Sequence, residues 1–261
     1  MSTTPPSSAS ASRIVLITGG SRGLGRNAAL HLARRGVDSV ITYRSRADEA
    51  QAVVDEIRGL GAHAAALQLD TGDSASFPAF AEALRGALRQ HWQRDRIDHL
   101  VNNAGIGAHA SIAETTEAQF DELMRVHLKG PFFLTQTLLP LIRDGGSILN
   151  VSSGLARFAL PGYGAYATMK GGVEVMSRYM AKEFGARGIR VNTLAPGAIE
   201  TDFGHGAVRD NAEVNRMVAS VTALGRAGLP DDIGPVVASL LADDNHWITA
   251  QRIEASGGMF V

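Results

Sequence analysis

The stretch GYGAYATMK, residues 162–170, places two tyrosines just before a lysine among otherwise small residues. Tyr166 and Lys170 are four residues apart, slightly more than one helical turn, so a helix would carry both side chains on one face. Tyr163 lies two turns from the lysine, and its hydroxyl is less well placed. A nearby cation lowers the pKa of a phenol, ordinarily near 10, by about 1–3 units. The spacing therefore indicates an acid/base pair, although an incidental match on a helix would look the same.

A glycine-rich turn, TGGSRGLGRNAA, follows the first apolar run of the chain. Glycines let a backbone approach phosphate groups closely, and the helix that follows offers unpaired N–H groups and a favourable dipole. The glycine spacing is wider than in GxGxxG, so the placement between a strand and a helix carries the prediction. The alternative is an ordinary glycine-rich turn. The predicted cofactor contacts in this turn are Gly19, Ser21, Arg22, Gly23, Leu24 and Gly25, of which Arg22 can reach a phosphate on the adenosine ribose.

The end of the second predicted strand distinguishes the two nicotinamide dinucleotides. A carboxylate that binds the ribose 2′-hydroxyl of NAD is expected about 20 residues after the glycines. The sequence there reads ITYRSRADEA, with Arg44 and Arg46 in place of an acid, and Asp38 lies at the other end of the strand. Guanidinium groups bind a 2′-phosphate. The sequence therefore predicts NADPH/NADP+ as the cofactor, unless these arginines are only solvated surface charges.

From residue 13 onward, short runs rich in Val, Ile and Leu alternate with segments of helical period, the pattern of a parallel sheet with crossover helices. The predicted strands are 13–18, 39–43, 64–70, 97–103, 146–153, 189–195 and 251–256. The predicted helices are 24–35, 47–60, 74–92, 117–142, 163–186 and 231–242, and 202–222 is predicted as a long loop. Continuous apolar strands indicate that both sheet faces are covered and that ligands bind at the carboxyl ends of the strands.

These elements predict an α/β fold with one domain at 13–261: a doubly wound, Rossmann-type, seven-stranded parallel sheet flanked by helices on both faces. A disordered N-terminal tail is predicted at 1–12, because this stretch is rich in Ser, Ala and Pro.

Composition excludes several classes of protein. The 261 residues carry a formal net charge of −1 at pH 7, with no basic run that would bind nucleic acid. The chain has no cysteine, which excludes disulfides and zinc thiolates, and no histidine pair with the spacing of metal ligands, so no metal is predicted. Its apolar runs are well short of the about 18 residues that cross a bilayer. We expect a cytoplasmic protein with a small-molecule partner and no membrane partner.

Several motifs together resemble the short-chain dehydrogenase/reductase family, in particular its compact 3-oxoacyl reductases. They are TGGSRGLG, NNAG at 102–105, NVSS at 150–153, YATMK at 166–170, APGAIETD at 195–202 and the segment from GRAGLPDDIG to IEASGG. The resemblance covers everything after the tail, and the joint order and spacing are highly specific. It implies that Tyr166 is the general acid/base, that Ser153 hydrogen-bonds the substrate oxygen, and that Lys170 also holds the nicotinamide ribose.

The resemblance also implies cofactor contacts beyond the glycine turn. They are Asp70 at the adenine amino group, Asn102, Ala104 and Gly105 on the adenosine side, Tyr166 and Lys170, and Pro196, Gly197, Ile199 and Thr201 at the nicotinamide carboxamide and phosphates. His127 departs from the family, which usually has an asparagine here that holds a water linking the lysine to solvent. Imidazole can donate and accept, so His127 either takes part in a modified proton relay or merely packs in a helix.

The predicted substrate pocket above Tyr166 is apolar and aromatic, with Leu155, Phe158, Tyr163, Phe203 and His205 as its residues. Such a pocket suits a hydrophobic ketone or alcohol better than a sugar phosphate. Because Arg157 and Arg209 lie nearby, an acidic or carrier-bound substrate is an alternative.

The leading hypothesis is an NADPH-dependent reductase of ketones or 3-oxoacyl groups. The alternatives are an NADP-linked alcohol or sugar dehydrogenase that works oxidatively, and a catalytically silent NADPH-binding regulator. Helices around Phe132 and Tyr179 are apolar on more than one face, which indicates packing between subunits, and the family resemblance implies a homotetramer.

Overall fold

The apolar segments form seven parallel strands in a computed structural model that describes residues 12–261. They are β1 (Ile14–Ile17), β2 (Asp38–Tyr43), β3 (Ala64–Gln68), β4 (Ile97–Asn102), β5 (Ile142–Val151), β6 (Arg190–Pro196) and β7 (Arg252–Ala255). Their order across the sheet is β3-β2-β1-β4-β5-β6-β7. The connections change direction between β1 and β4, which opens a crevice at the carboxyl ends of these strands. The predicted doubly wound parallel sheet is confirmed, whereas the predicted tail, apart from Ser12, lies outside the described residues.

Helices connect the strands and cover the sheet. They are α1 (Gly23–Ala33), α2 (Ala47–Gly59), α3 (Phe77–Trp92), α4 (Glu117–Met124), α5 (Gly130–Leu138), α6 (Gly164–Phe184), α7 (Ala207–Asp210), α8 (Ala212–Ser220) and α9 (Pro230–Leu241). Alternate residues of each strand point to opposite faces of the sheet. Leu16 therefore packs with α3, α5 and α6, whereas Ile17 packs with α1, α2 and α9. The two resulting cores hold the strand ends rigidly, and with them the residues that follow each strand.

The segment predicted as a helix at 117–142 is helical from Glu117 to Leu141, but it is not one regular α-helix. α4 ends at Met124, a π-helical turn covers Arg125–Lys129, and α5 follows. Pro131 cannot donate a hydrogen bond to the carbonyl of His127 four residues earlier, and its ring crowds that carbonyl, which accounts for the wider turn. Pro140 lies in the 3₁₀ turn Leu139–Leu141 that ends this helical segment, and β5 begins directly after it at Ile142 instead of residue 146.

The long loop predicted at 202–222 is also wrong, because it contains α7 and α8. α7 has four residues, too few to produce a helical period in the sequence. α8 does have a sequence signal: the side chain of Asn211 accepts hydrogen bonds from the N–H groups of Glu213 and Val214. An asparagine before an apolar period is a typical helix start.

Candidate active site

A cleft of about 700 Å³ opens at the carboxyl edge of the sheet. Its walls come from the segments that directly follow β1, β2, β3, β4, β5 and β6. Because the strands are parallel, their carboxyl ends meet at this one edge, with the crevice between β1 and β4 at its centre. The cleft therefore lies where the strand pattern predicts a ligand.

The glycine turn after β1 forms one wall of the cleft. Gly19 and Gly23 have φ angles of +65° and +55°, in the left-handed region that other residues disfavour. Gly25 does not line the cleft, because it faces the back of the turn, where a Cβ would lie 2.3 Å from the carbonyl oxygen of Gly19. Its predicted phosphate contact is corrected to a packing role. Asn103, absent from the predicted site, donates to the carbonyls of Thr18 (2.9 Å) and Gly19 (3.1 Å) and so stabilises the turn.

Three exposed arginines lie where the glycine turn meets the end of β2. Arg22, Arg44 and Arg46 all line the cleft. Arg46 forms an ion pair with Glu49. Within residues 12–261, the side chains of Arg22 and Arg44 form no ion pair, so two guanidinium groups remain free to bind an anion here.

Most of the other predicted cofactor contacts also line the cleft: Ser21, Leu24, Asp70, Ala104, Gly105, Tyr166, Lys170, Pro196, Gly197, Ile199 and Thr201. Asn102 does not. Its buried side chain donates to Thr135 Oγ1 at 3.1 Å and to Asn150 Oδ1 at 2.8 Å. Alternation along β4 points this side chain to the face of the sheet that α5 covers, away from the cleft. The predicted cofactor role of the Asn102 side chain is therefore corrected to a structural one, linking β4 to β5 and α5.

Ser153, Tyr166 and Lys170 meet near the middle of the cleft. Tyr166 and Lys170 share a face of α6, and Lys170 Nζ lies 5.6 Å from the centroid of the Tyr166 ring. Ser153 follows β5 in an extended conformation, and its Oγ accepts a hydrogen bond from the N–H of Leu155 at 3.2 Å. Lys170 Nζ donates to the carbonyl oxygen of Val151 at 2.7 Å. This arrangement brings together two hydroxyls and an amine that can act on one substrate oxygen.

Burial governs the protonation of both groups on α6. Burial raises the pKa of the Tyr166 phenol well above its ordinary value, and the hydrogen bond with Ser153 opposes that rise. Burial also lowers the pKa of Lys170 to about 7. The lowering of the phenol pKa that the position of Lys170 predicts is not found: burial is the largest effect on Tyr166, and Ser153 is the group that opposes it. The phenol is protonated at neutral pH and can give up a proton.

His127 is buried beside these groups, inside the π-helical turn. Its ring meets the Tyr166 ring edge-on, with centroids 5.1 Å apart, and its Nε2 lies 2.7 Å from the carbonyl oxygen of Ile106. Burial, together with the charge of Lys170, lowers the pKa of His127 to about 3, so the ring is neutral. The N–H of Ile106 lies 3.2 Å from the same Nε2, so the two contacts with Ile106 require opposite tautomers of the ring. The buried Nδ1 has no hydrogen-bond partner within residues 12–261.

The other end of the cleft is apolar and aromatic. The predicted residues Leu155, Phe158, Tyr163, Phe203 and His205 all line it. The Phe203 ring lies 5.8 Å from that of Tyr166, while Tyr163 packs edge-on against His109 instead of facing Lys170. Further lining residues, absent from the predicted site, are Val214, Met217, Val218 and Met259. They lie on α8 and after β7, in segments without a functional motif.

Arg157 and Arg209, the basis for the alternative of an acidic substrate, both form ion pairs with carboxylates of the protein. Arg157 donates to both carboxylate oxygens of Glu254, at 2.8 Å each. Arg209 forms ion pairs with Asp202 and Asp210. Within the described part of the chain, neither guanidinium is free to attract an acidic group.

Two general features complete the description of residues 12–261. No three side chains of His, Asp or Glu are grouped there so that they could hold a metal ion. None of the helices in this part of the chain combines the length and the hydrophobicity needed to span a bilayer.

A doubly wound sheet with Ser153, Tyr166 and Lys170 beside a glycine turn defines an oxidoreductase site of the dinucleotide-binding class. A sequence profile described as enoyl-(acyl carrier protein) reductase matches residues 19–260. The chain is 34% identical over 259 residues to the hydroxynaphthalene reductase-like protein Arp2 of Metarhizium brunneum, covering 95% of each chain. The chain belongs to the short-chain dehydrogenase/reductase family, as its motifs predict.

Two solved structures of this family are similar over nearly their whole length. LugOII, a promiscuous reductase that catalyses keto-reduction at C1 during lugdunomycin biosynthesis, has a TM-score of 0.90 and 35% identity, covering 95% of this chain and 98% of its own. The angucycline C-6 ketoreductase LanV with bound NADP also has a TM-score of 0.90 and 35% identity, covering 95% of each chain.

Proposed function

We propose that this protein reduces a ketone in an apolar, ring-containing compound to a secondary alcohol, with NADPH as hydride donor and Tyr166 as proton donor. The observation that carries the proposal is the position of Ser153, Tyr166 and Lys170 between a glycine turn suited to phosphates and an aromatic pocket, all in one cleft. Keto-reduction by the similar proteins LugOII and LanV supports the same class of reaction.

The residues present fit a dinucleotide with a 2′-phosphate. A Cβ at Gly19 would lie 3.0 Å from Cα of Ala104, so glycine lets the turn pack this closely against the segment after β4. The N-terminus of α1 offers its unpaired N–H groups to the pyrophosphate. Arg22 and Arg44, free of acidic partners within residues 12–261, would hold the 2′-phosphate through charged hydrogen bonds. When bound, NADPH supplies the hydride, and the NADP in the LanV structure supports this choice.

Ser153 and Tyr166 would act on the carbonyl oxygen together. Both hydroxyls can donate to it, which polarises the C=O bond and stabilises the negative charge that develops on the oxygen during hydride transfer. Tyr166 then gives its proton to that oxygen. Because burial raises the pKa of Tyr166, the phenol stays protonated at neutral pH, as a proton donor must. Lys170 would bind the nicotinamide ribose and return a proton to Tyr166.

His127 would be the next group in this proton path. Its ring is neutral and lies against Tyr166, and its buried Nδ1, which has no partner within residues 12–261, is able to form a hydrogen bond with a water that reaches Lys170. A side chain that only packed in the helix would gain nothing from a buried nitrogen without a partner. This observation favours the modified relay over simple packing.

An apolar substrate fits the cleft better than an acidic or carrier-bound one. The pairing of Arg157 with Glu254 and of Arg209 with Asp202 and Asp210 removes the free positive charges on which a carrier-bound 3-oxoacyl substrate would depend. Relatives named for hydroxynaphthalene and angucycline chemistry support a ring-containing ketone.

Loss of NADPH absorbance with a panel of ketones, 3-oxoacyl thioesters and sugars tests this proposal, with alcohols and NADP+ testing the oxidative direction. Tyr166→Phe is expected to lose at least about 10²-fold in turnover, the contribution of a general acid, while still binding NADPH. Tyr179→Phe, an exposed tyrosine on the same helix and outside the cleft, is the matched control and should retain turnover. Full turnover by Tyr166→Phe contradicts the proposal. Binding of NADPH without turnover of any carbonyl by the unmodified protein would instead support the silent regulator.

We also propose that the protein assembles as a homotetramer in the cytoplasm. Large apolar side chains are exposed on α5 and α6, namely Phe132, Phe133, Val175 and Tyr179. Subunit contacts would bury them, as exposed apolar patches commonly mark such contacts. Light scattering after size-exclusion chromatography tests the assembly, with Tyr179→Asp expected to lower the mass; a monomeric unmodified protein contradicts it. Fractionation of the source cells tests the location.

A further inference from the structure

Residues 257–260 follow β7 and adopt a strained conformation beside the aromatic end of the cleft. Phe260 has a φ of +55°, which is rare for a bulky side chain. Gly257 and Gly258, with φ of +63° and +77°, form the turn before it. A residue in such a conformation persists only where its surroundings hold it, and such residues are often found at ligand-binding sites.

Main-chain hydrogen bonds hold this segment on one side. They run from Phe260 N to Val221 O (2.9 Å), from Ala223 N to Gly258 O (3.2 Å) and from Leu224 N to Gly257 O (3.1 Å). The segment is thereby joined to the residues that follow α8, which itself contributes Met217 and Val218 to the cleft.

Arg157 holds the same segment on the other side. Its Nη2 donates to the carbonyl oxygen of Met259 at 2.8 Å, and the neighbouring Phe158 packs against Phe260 with ring centroids 4.8 Å apart. Glu254 fixes the guanidinium by binding both Nε and Nη2. Arg157 therefore connects the turn after Ser153, strand β7 and residues 257–260.

Glu254 is itself held within a larger network. Arg252 binds Glu254 Oε2 at 2.8 Å and Glu174 Oε1 at 2.7 Å. The Ser152 hydroxyl donates to the same Glu174 oxygen at 2.9 Å. The charges of both carboxylates are satisfied inside the fold, so Arg157 has a structural anchor and does not need a ligand to balance it.

We propose that Arg157 is a positioning residue that holds residues 257–260 as a rigid wall of the substrate pocket, and that this wall favours flat, fused-ring ketones over small ones. Within this segment Met259 is the residue that lines the cleft, and Phe158, which packs against Phe260, lines it beside Met259, so the wall offers one apolar and one aromatic side chain. A rigid apolar wall gains contact over the whole face of a flat ring system, whereas a small ketone touches little of it. This inference rests on the proposed ketone reduction.

The test is the double variant Arg157→Met/Glu254→Gln, which removes both partners of this ion pair while Arg252 keeps its ion pair with Glu174. Initial rates are measured with 1-tetralone and with 2-butanone. The KM for 1-tetralone is expected to rise about tenfold, the range of a modest loss of apolar contact, while its kcat and both constants for 2-butanone change less than about threefold. Phe260→Ala, which removes the ring contact but no charge, should shift the KM for 1-tetralone in the same direction.

Arg89→Met is the matched control, because Arg89 also pairs with a carboxylate, Asp95, but at the amino edge of the sheet. It should leave all four constants unchanged. Equal losses with both ketones, or an unchanged preference, overturn the inference.

Calorimetric binding of 1-tetralone and 2-butanone in the presence of NADP+ keeps the inference separate from the proposed reaction. Without any turnover, the double variant should still bind 1-tetralone about tenfold more weakly than the unmodified protein does. Equal affinity of the unmodified protein for both ketones overturns the inference about the wall. Tighter binding of 1-tetralone without any turnover refutes only the proposed reduction.

Discussion

Replacing Lys170 by methionine is expected to stabilise the protein while abolishing its activity. The side chain is 4% exposed, and its ammonium donates to the carbonyl oxygen of Val151. Within residues 12–261, no carboxylate forms an ion pair with it. Burial lowers its pKa from 10.5 to about 7, which means that the folded state resists the charged form. Methionine has a similar length and carries no charge to desolvate.

The magnitude follows from the pKa of Lys170 in the two states. The difference between 10.5 and about 7, at about 1.36 kcal/mol per pH unit, corresponds to about 5 kcal/mol of cost to folding when the lysine is charged. Methionine leaves the Val151 carbonyl without its donor, which costs about 1–3 kcal/mol. Lys170→Met should therefore raise the free energy of unfolding by about 2–4 kcal/mol at pH 6, where the cost is complete.

The pH dependence gives the sharper test. Because the pKa of Lys170 is lower in the folded state, the unfolded chain binds more protons between about pH 7 and pH 10.5. The cost of the charge is complete below about pH 7 and disappears above about pH 10.5. The advantage of Lys170→Met should accordingly shrink by about 3 kcal/mol between pH 6 and pH 9.5.

Urea unfolding followed by circular dichroism at these two pH values measures both quantities. Lys182→Met is the matched control, since Lys182 lies exposed on the same helix, α6. Its effect should stay within about 0.5 kcal/mol at either pH. A Lys170→Met variant no more stable than the unmodified protein at pH 6, or an advantage independent of pH, refutes the reasoning.

Three further predictions concern single residues. Arg44→Glu is expected to weaken NADPH binding at least about tenfold in fluorescence titrations but to leave NADH unaffected; equal changes contradict the phosphate role. His127→Phe is expected to lower kcat about tenfold, with His127→Asn restoring it; an unchanged kcat in His127→Phe supports packing. Gly130→Ala should fail to fold by circular dichroism, because its Cβ would lie 2.1 Å from the Thr71 carbonyl oxygen, whereas Gly86→Ala, with open space, should fold.

The parts of the site that depend on short spacings could be predicted from sequence. Tyr166 and Lys170 share one helical turn, and the glycine turn lies between a strand and a helix, so local geometry alone brings these groups together. The strands could be predicted because a sheet covered on both faces requires continuous apolar runs. The π-helical turn before Pro131 and the start of β5 after Pro140 could not be predicted. A proline leaves a backbone carbonyl without its helical N–H partner, and the local geometry then depends on which group that carbonyl contacts instead.

The orientation of side chains at a strand end could not be predicted. Asn102 and Asn103 are adjacent and chemically identical, yet their side chains have different partners. The side chain of Asn102 donates to Asn150 on the neighbouring strand, whereas that of Asn103 donates to the carbonyls of the glycine turn. Gly19 and Gly25 both permit close packing, yet only Gly19 lines the cleft. A motif shows which residues are present but not the direction in which each of them points.

Burial accounts for the largest disagreement between the sequence and the site. The sequence places a cation near Tyr166, which predicts a more acidic phenol, but it does not show that both groups lie out of contact with water. In the structure, burial raises the pKa of Tyr166 and lowers that of Lys170 to about 7. The cost of burying Lys170 and the pKa that lets it exchange protons near neutral pH therefore have one cause. A variant that exposed Lys170 to solvent would gain stability and, by the same step, return the amine to an ordinary pKa at which it no longer releases a proton to Tyr166.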